Sequence, residues 1–359
     1  MTLRCALIGA GDWMASALLP ALRAQADIEV VGVVAATLSE AQSFAAAHHI
    51  GRAYATLPEL LEAEKQLKLG VIATPDHVHA EAVSALLLAG VAAYCEKPLA
   101  NSAGNAQELV ALGRRTGVTA TVGYSFRFTP ALQALKRDLA AGRLGEPWLI
   151  ELAEHNPQFH PDSGKPLNWK GDPAQAAGGA LFEYGSHVID MAAWLLGPIA
   201  RVSSSLKRVL PGARLDDIAT LQMEFQNGST GLLISSWLLS GGFPGIRIRL
   251  HGSQALGEVW VDDRLEGGQR YRLSPALGSG GEDQPIEPMR GTRTDAVGRH
   301  MAALLSAIRG DGGGNLRTLP TLEQAAHVQD VLEASLNATS AWQDVAGTSS
   351  PLIREQENT

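Results

Sequence analysis

From residue 3 to about residue 123, short apolar runs rich in β-formers alternate with longer Ala- and Leu-rich runs. The first kind are "RCALIGAG", "IEVVGVV", "LGVIATP", "VAAYCEK" and "TATVGY", each closing on turn residues. The second kind include "MASALLPALRAQ" and "AEAVSALLLAG". Strands spaced by helices predict βαβ units, that is, a parallel sheet with helices on both faces. The pattern changes after Tyr124. A helix is expected in "PALQALKRDLAAG" and a strand in "PWLIELAEH", followed by the polar loop "NPQFHPDSGKPLNWKGDP". A further helix holds Glu183 and His187, bounded by Gly178-Gly179 and by Gly197-Pro198. Beyond it, "ARVSSSLKRVL", "IATLQMEFQNGSTGLLISSWLL" and "GIRIRLHG" alternate with period two, and Asn227-Gly228 marks a hairpin. A meandering sheet is the natural reading. The stretch 275–293 reads as loop, helices are expected near 294–309 and 321–342, and the tail after Ser349 reads as frayed. The fold class is therefore α/β. A doubly wound domain is expected over residues 1–123 and a second α/β domain over 124–359.

Composition narrows the partners. The chain has 359 residues, 45% apolar and 18% charged, enough for two domains with real cores. Its net charge is 29 − 37 = −8 without a basic block, which does not suggest a nucleic-acid surface. The N-terminal run "MTLRCALIGAGDW" lacks the zones of a signal peptide, and no apolar run reaches about 18 residues. No membrane partner is expected. The only cysteines, Cys5 and Cys95, form no framework or metal pattern, so a reduced, cytoplasmic setting is the simplest reading.

The first strand ends in Gly9-Ala10-Gly11 and leads through Asp12, Trp13 and Met14 into a helix. Gly9 permits a tight turn, Gly11 lets backbone approach a pyrophosphate, and the helix N-terminus offers free N–H groups. Met14 stands where a third glycine is usual. The alternative is a tight turn that binds nothing. The second strand runs into Ala35, Ala36 and Thr37, with neither a carboxylate for a ribose nor an arginine for a 2′-phosphate. Thr37 could hydrogen-bond either, so NAD and NADP both remain open.

Glu183 and His187 lie four residues apart, one helical turn, and this brings their side chains onto one face. Two metal ligands, a proton-transfer couple and an ordinary buried hydrogen bond all fit that spacing. The metal reading fails on counting. About three protein ligands are needed, and no HExxH or cysteine pattern joins His155 and His160 to the pair. An imidazole titrating near ~6.5 can serve as a base in one direction and an acid in the other.

The ordered set Gly9, Gly11, Thr74-Pro75 with His79, Glu96-Lys97-Pro98, "VGYSFRF" with Arg127, "WKGDPAQAAGGAL" and "SHVIDMAAWLLG" resembles the Gfo/Idh/MocA oxidoreductases over nearly the whole chain. Glucose–fructose oxidoreductase and inositol dehydrogenase are members of that family. The resemblance implies a Rossmann dinucleotide-binding domain and an α/β domain with a large open, mostly antiparallel sheet. It implies hydride transfer between NAD or NADP and a carbinol of a sugar, cyclitol or related small-molecule polyol. The family's E-K-P lysine maps onto Lys97, and its C-terminal-domain histidine onto His187. Glu183 stands where the family usually has Asp, keeping the carboxylate on an arm one methylene longer. By resemblance Glu96 faces the nicotinamide ribose or carboxamide, and the Lys97–Pro98 bond is often cis.

Cofactor contacts are thus expected from Gly9, Gly11, Asp12, Trp13, Met14, Ala36, Thr37, Thr74, Pro75, His79, Glu96, Lys97 and Arg127. Catalysis is expected from Lys97, His187 and Glu183. Substrate contacts are expected from those three and from Ser125, His155, Asn156, Trp169, Lys170 and Trp237. These supply hydrogen-bonding groups and aromatic faces, although polar loops are commonly just solvated. Two other classes compete: a non-catalytic dinucleotide-binding regulator, and a glycosidase that uses tightly held NAD. A large exposed sheet face would be costly in a monomer, so a homo-oligomer (dimer or tetramer) is expected.

Overall fold

A computed structural model describes residues 2–167, 169–173, 176–239, 245–277, 280–311, 318–338 and 341–348. The chain divides into two compact units, Met1–Phe128 with Arg293–Ala326, and Thr129–Thr292 with His327–Thr359.

In the first unit six strands are described: β1 (Leu3–Ile8), β2 (Ile28–Val34), β3 (Ala53–Tyr54), β4 (Leu69–Ile72), β5 (Ala92–Cys95) and β6 (Ala120–Val122). They pair in parallel in the order β3-β2-β1-β4-β5-β6. The order reverses between β1 and β4, the switch point at which open α/β sheets bind ligands. Helices α1 (Leu19–Arg23), α2 (Leu38–Ala47), α3 (Leu57–Ala63), α4 (Asp76–Leu88) and α5 (Ala103–Thr116) make the crossovers. Strand β3 was not anticipated, because two residues cannot display a period. The central strands are buried on both sides, which explains their continuous apolar runs. Burial also raises the Cys5 thiol to about 12, so this sulfur is packing rather than chemistry.

The compact units depart from the expected division at 123/124 in one main respect. Residues 293–326 belong to the first unit although they lie far along the chain. The cause is apolar: Val297, Met301, Leu304 and Leu305 join the core formed by Leu3, Leu7, Val33 and Val71.

The second unit opens with α6 (Pro130–Ala140), then β7 (Pro147–His155), α7 (Ser186–Leu196), β8 (Ile199–Lys207), β9 (Ile218–Phe225) and β10 (Thr230–Ser236). Next come β11 (Gly245–Gly252), β12 (Ala255–Val261), β13 (Gln269–Pro275) and β14 (Glu282–Asp283). Helices α8 (Thr292–Arg309) and α9 (Leu322–Asn337) and strand β15 (Gln343–Asp344) follow, α8 lying almost wholly in the first unit and α9 beginning there. The described sheet runs β14-β13-β12-β11-β7-β10-β9-β8-β15. Every pair is antiparallel except β7 with β10. The expected meander is therefore interrupted: β7 is separated from β10 by α7 and two strands, and a connection of that length can deliver a parallel neighbour. Asn227-Gly228 does turn the β9–β10 hairpin, with Gly228 at φ +87°. Alternation gives the sheet two faces. Ile150, Leu152 and Glu154 of β7 are buried on the side to which α6 and α7 pack. The opposite side carries partly exposed Leu232 and Ile234. Among the described residues no helix is long and apolar enough to cross a membrane. The tail after Ser349 lies outside the described residues.

Candidate active site

The glycine turn is built as its residues demand. Gly9 adopts φ +110°, and a Cβ there would lie 2.2 Å from the Ala73 carbonyl oxygen, so no other residue fits. Its N–H donates to Val34 O over 2.8 Å, tying the turn to the end of β2. A Cβ on Gly11 would meet nothing within 4 Å, because Gly11 faces a cavity of about 1110 Å³ inside this unit. The cavity is lined by the glycine turn, by Ala35 and Ala36 after β2, and by Thr74 and Pro75 after β4. Thr74 Oγ1 is buried without a partner among the described residues. An open glycine cradle and an unpartnered hydroxyl at the switch point fit a dinucleotide. Asp12 is exposed, and its carbonyl accepts from Ser16 Oγ at 2.6 Å. Thr37 caps α2 in a capping box with Glu40.

At the end of β5, Glu96 forms a hub. Its Oε1 accepts from Trp13 Nε1 and from the Tyr94 hydroxyl, both at 2.9 Å, and its Oε2 accepts from Lys97 N at 3.3 Å. Burial raises its pKa, opposed by the bond from Trp13, the Lys97 charge and the bond from Tyr94. A Cβ on Gly123 would lie 2.8 Å from Glu96 Oε2, so glycine there makes room for the carboxylate. Lys97 and Trp13 are half-buried, and the Lys97–Pro98 bond is cis.

Four expected contacts in this unit are corrected. Met14 is fully buried in the core, because the helix begins with a π turn (Met14–Leu18) that carries it inward. Arg127 is 1% exposed and its Nη1 donates to Gln324 Oε1 at 2.6 Å, so its guanidinium is spent inside the unit. Ser125 is buried, with Oγ 3.1 Å from His300 Nδ1 and 3.5 Å from the Tyr94 hydroxyl. His79 is buried, with Nδ1 2.7 Å from Pro98 O and Nε2 2.9 Å from Thr74 O. It braces the two turns from beneath and does not line the cavity.

In the second unit the segment Leu181–Gly185 is a π turn leading into α7, a form frequent at functional sites. The assumed 3.6-residue spacing of Glu183 and His187 therefore does not hold. Glu183 Oε1 accepts from Lys170 Nζ at 2.5 Å, each side chain about one-fifth exposed. His187 is buried in the first turn of α7. Trp237 is corrected from substrate contact to core. It is 1% exposed, donates from Nε1 to Asp217 Oδ1 at 2.8 Å and meets Phe159 edge-on. His155 is half-buried at the end of β7. Strand alternation puts Glu154 on the helix-covered side and His155 on the other, where burial and then the Arg247 charge lower its pKa. Asn156 continues the sheet by donating its backbone N–H to Ser236 O. Trp169 begins a short helical turn, and its side chain lies outside the described residues.

Sequence reasoning missed Glu40 on the cavity wall, Tyr94 beneath Glu96, and His300 of α8, whose Nε2 lies 3.0 Å from Thr121 Oγ1. Glu40 was legible as the first-turn acid, three residues after Thr37, of a Thr-x-x-Glu capping box. No local signal could join His300 to Ser125 across 175 positions.

Comparison with known proteins agrees with the two domains of this fold. Residues 3–124 match a model described as an oxidoreductase family with NAD-binding Rossmann fold, and residues 132–256 match the GFO/IDH/MocA C-terminal domain. D-apiose dehydrogenase of Paraburkholderia graminis is 30% identical over 267 residues, covering 73% of this chain and 68% of that protein. Inositol 2-dehydrogenase of Rhizobium meliloti is 26% identical, covering 86% of this chain and 89% of that one. The structure of levoglucosan dehydrogenase in complex with NADH superposes with a TM-score of 0.85 at 21% identity, over 96% of this chain and 99% of that chain. That similarity shows a common fold.

Proposed function

The chain belongs to the Gfo/Idh/MocA family of NAD-binding oxidoreductases, and on that premise we propose that it oxidises a carbinol of a sugar, cyclitol or related polyol, or reduces the matching ketone. The observation that carries this reading is the glycine-turned cavity of the first unit, with Lys97 presented at the end of β5 in the same unit. Relatives named for D-apiose, inositol and levoglucosan support the substrate class. The residues that would hold the dinucleotide are Gly9, Gly11 and Thr74, through backbone approach and one hydroxyl. Bound nicotinamide supplies the acceptor or donor of hydride.

The chain's own side chains must handle the proton. A general base for the carbinol hydroxyl is worth about 10²–10⁴ in rate. His187 takes that role, with Glu183 as its companion acid and Lys170 as the group that holds Glu183 in place. Lys97 donates to the carbinol oxygen and stabilises its developing negative charge. The Glu96 hub positions it, since the carboxylate holds the Lys97 backbone N–H as well as Trp13. Sugars and cyclitols screened by absorbance at the reduced-nicotinamide band would test the reading. Turnover with at least one of them is expected. Dinucleotide binding without turnover of any would favour a regulator, and glycoside cleavage dependent on NAD would favour the glycosidase reading.

The open sheet face supports a homo-oligomer. Leu232 is 39% and Ile234 40% exposed on it, beside Arg249 and Glu151, which pair at 2.9 Å. A monomeric mass at micromolar concentration would contradict this. Two buried, unpaired cysteines fit a reducing, cytoplasmic location, which fractionation would check.

A further inference from the structure

The β2 turn lacks the acid that ordinarily receives the adenosine ribose, yet a carboxylate stands there by another route. Ala35 and Ala36 line the cavity and cannot bond a hydroxyl through side chains. Thr37 Oγ1 accepts from Glu40 N at 3.2 Å, and Glu40 Oε2 accepts in return from Thr37 N at 3.3 Å. The capping box thus folds the Glu40 carboxylate back toward the turn, while the residue stays exposed to solvent. Glu40 also lines the cavity, as do Ser39 and Ser43 of the same helix. Among the described residues neither lysine nor arginine lines it; its charged walls are Glu40 and Glu81, with the imidazoles of His48 and His77.

We propose that Glu40 is the cofactor-discriminating residue, favouring the 2′-hydroxyl of NAD(H) over the 2′-phosphate of NADP(H). The inference rests on the dinucleotide reading and adds to it a selectivity that the β2 turn itself does not carry. The physical argument is one of competing charges. The N-terminus of α2 would by itself attract a phosphate. A carboxylate in its first turn already answers that partial positive charge and repels a second anion. Glu40 is exposed, so solvent screens the repulsion. Two anions a few ångströms apart at high effective dielectric lose roughly tenfold in affinity. The same carboxylate can accept a hydrogen bond from a ribose hydroxyl, so it favours one cofactor while it disfavours the other.

The test is binding, read from nicotinamide fluorescence on titration with NADH and with NADPH at pH 8, above the ordinary imidazole range. The parent protein is expected to hold NADH about tenfold more tightly, with the gap narrowing as salt rises. Glu40→Gln keeps the capping box, since Gln serves at that position, and removes only the charge. Its melting temperature should stay near the parent's while NADPH binds several-fold more tightly, so that the preference for NADH over NADPH shrinks. Equal or tighter binding of NADPH by the parent would overturn the assignment, as would a ratio unchanged in Glu40→Gln. Absence of binding by either dinucleotide would overturn the cofactor reading itself, a result distinct from a wrong discriminator.

Discussion

In the first unit Trp13 donates its indole N–H to Glu96 over 2.9 Å, and in the second Trp237 donates to Asp217 over 2.8 Å. Each carboxylate also accepts backbone N–H groups: Lys97 N for Glu96, Val209 N and Leu210 N for Asp217. The bonds are alike, but their settings differ. Trp237 and Asp217 are almost wholly enclosed, whereas Trp13 and Lys97 stay half-buried at the end of a parallel sheet. One carboxylate therefore organises a core, and the other organises groups that can still reach a ligand. A tryptophan–carboxylate pair does not by itself mark a site; what marks it is an exposed neighbour with chemistry to offer.

The largest expected effect lies on the half-buried side. Lys97→Ala should lower turnover by about 10²–10⁴ while dinucleotide affinity stays within a few-fold, because the lysine acts on the carbinol oxygen. Stopped-flow turnover alongside fluorescence binding separates the two quantities. Near-parental turnover would remove Lys97 from the chemistry and erase the contrast.

Asp217→Ala should show the opposite profile. It strands the buried Trp237 indole and two partly covered backbone donors, each of which loses a bond to a charge. A loss of about 3 kcal/mol or more is expected in urea unfolding. Glu96→Gln keeps an acceptor for Trp13, so it should cost only about 1 kcal/mol of stability while lowering turnover measurably. If Glu96→Gln proves the more destabilising of the two, the hubs do not differ as described.

Buried imidazoles carry the comparison into pH. In the first unit His300 lies between Thr121 and Ser125 and stacks on Phe128, and burial followed by the Arg127 charge pushes it down to about 3. In the second unit His327 Nε2 accepts from Ile199 N, and burial pushes it down to about 4. Both folded values lie below the ordinary imidazole range, so the unfolded chain binds these protons first. Their contribution is full above pH ~6.5 and is lost as pH falls from there toward 3 or 4. Between pH 7.5 and 5, His300 alone should cost about 2 kcal/mol of stability. Urea unfolding at both pH values should show that loss shrinking in His300→Asn. An unchanged pH slope would mean that His300 is charged in the folded protein.

The sequence exposed these regions unequally. The Gly9–Gly11 turn and the Lys97 position were legible because backbone need and chain order fix them within a few residues. The roles of Met14, Arg127, Ser125 and Trp237 were not, because each is decided by which way an element faces. A π turn carries Met14 inward. Gln324 claims Arg127, and Asp217 claims Trp237. The parallel β7–β10 pair was likewise invisible, since period-two alternation says nothing of which strand lies alongside.

Glu183 offers the smallest and most local test of the contrast. Its carboxylate meets Lys170 Nζ at 2.5 Å, and both side chains are largely covered without being enclosed. Glu183→Asp restores the family's usual acid but shortens the arm by one methylene. The charge stays while the reach to Lys170 is lost, so the change isolates placement from ionisation. A partly covered ion pair is worth about 1 kcal/mol, so turnover should fall about fivefold if Lys170 places the acid that serves His187. Lys170→Met should produce a drop of similar size, and the double variant should fall no further than either single one. Additive losses would show that the two residues act separately. The Lys170 contact would then be a surface pair of the kind that merely tidies a loop.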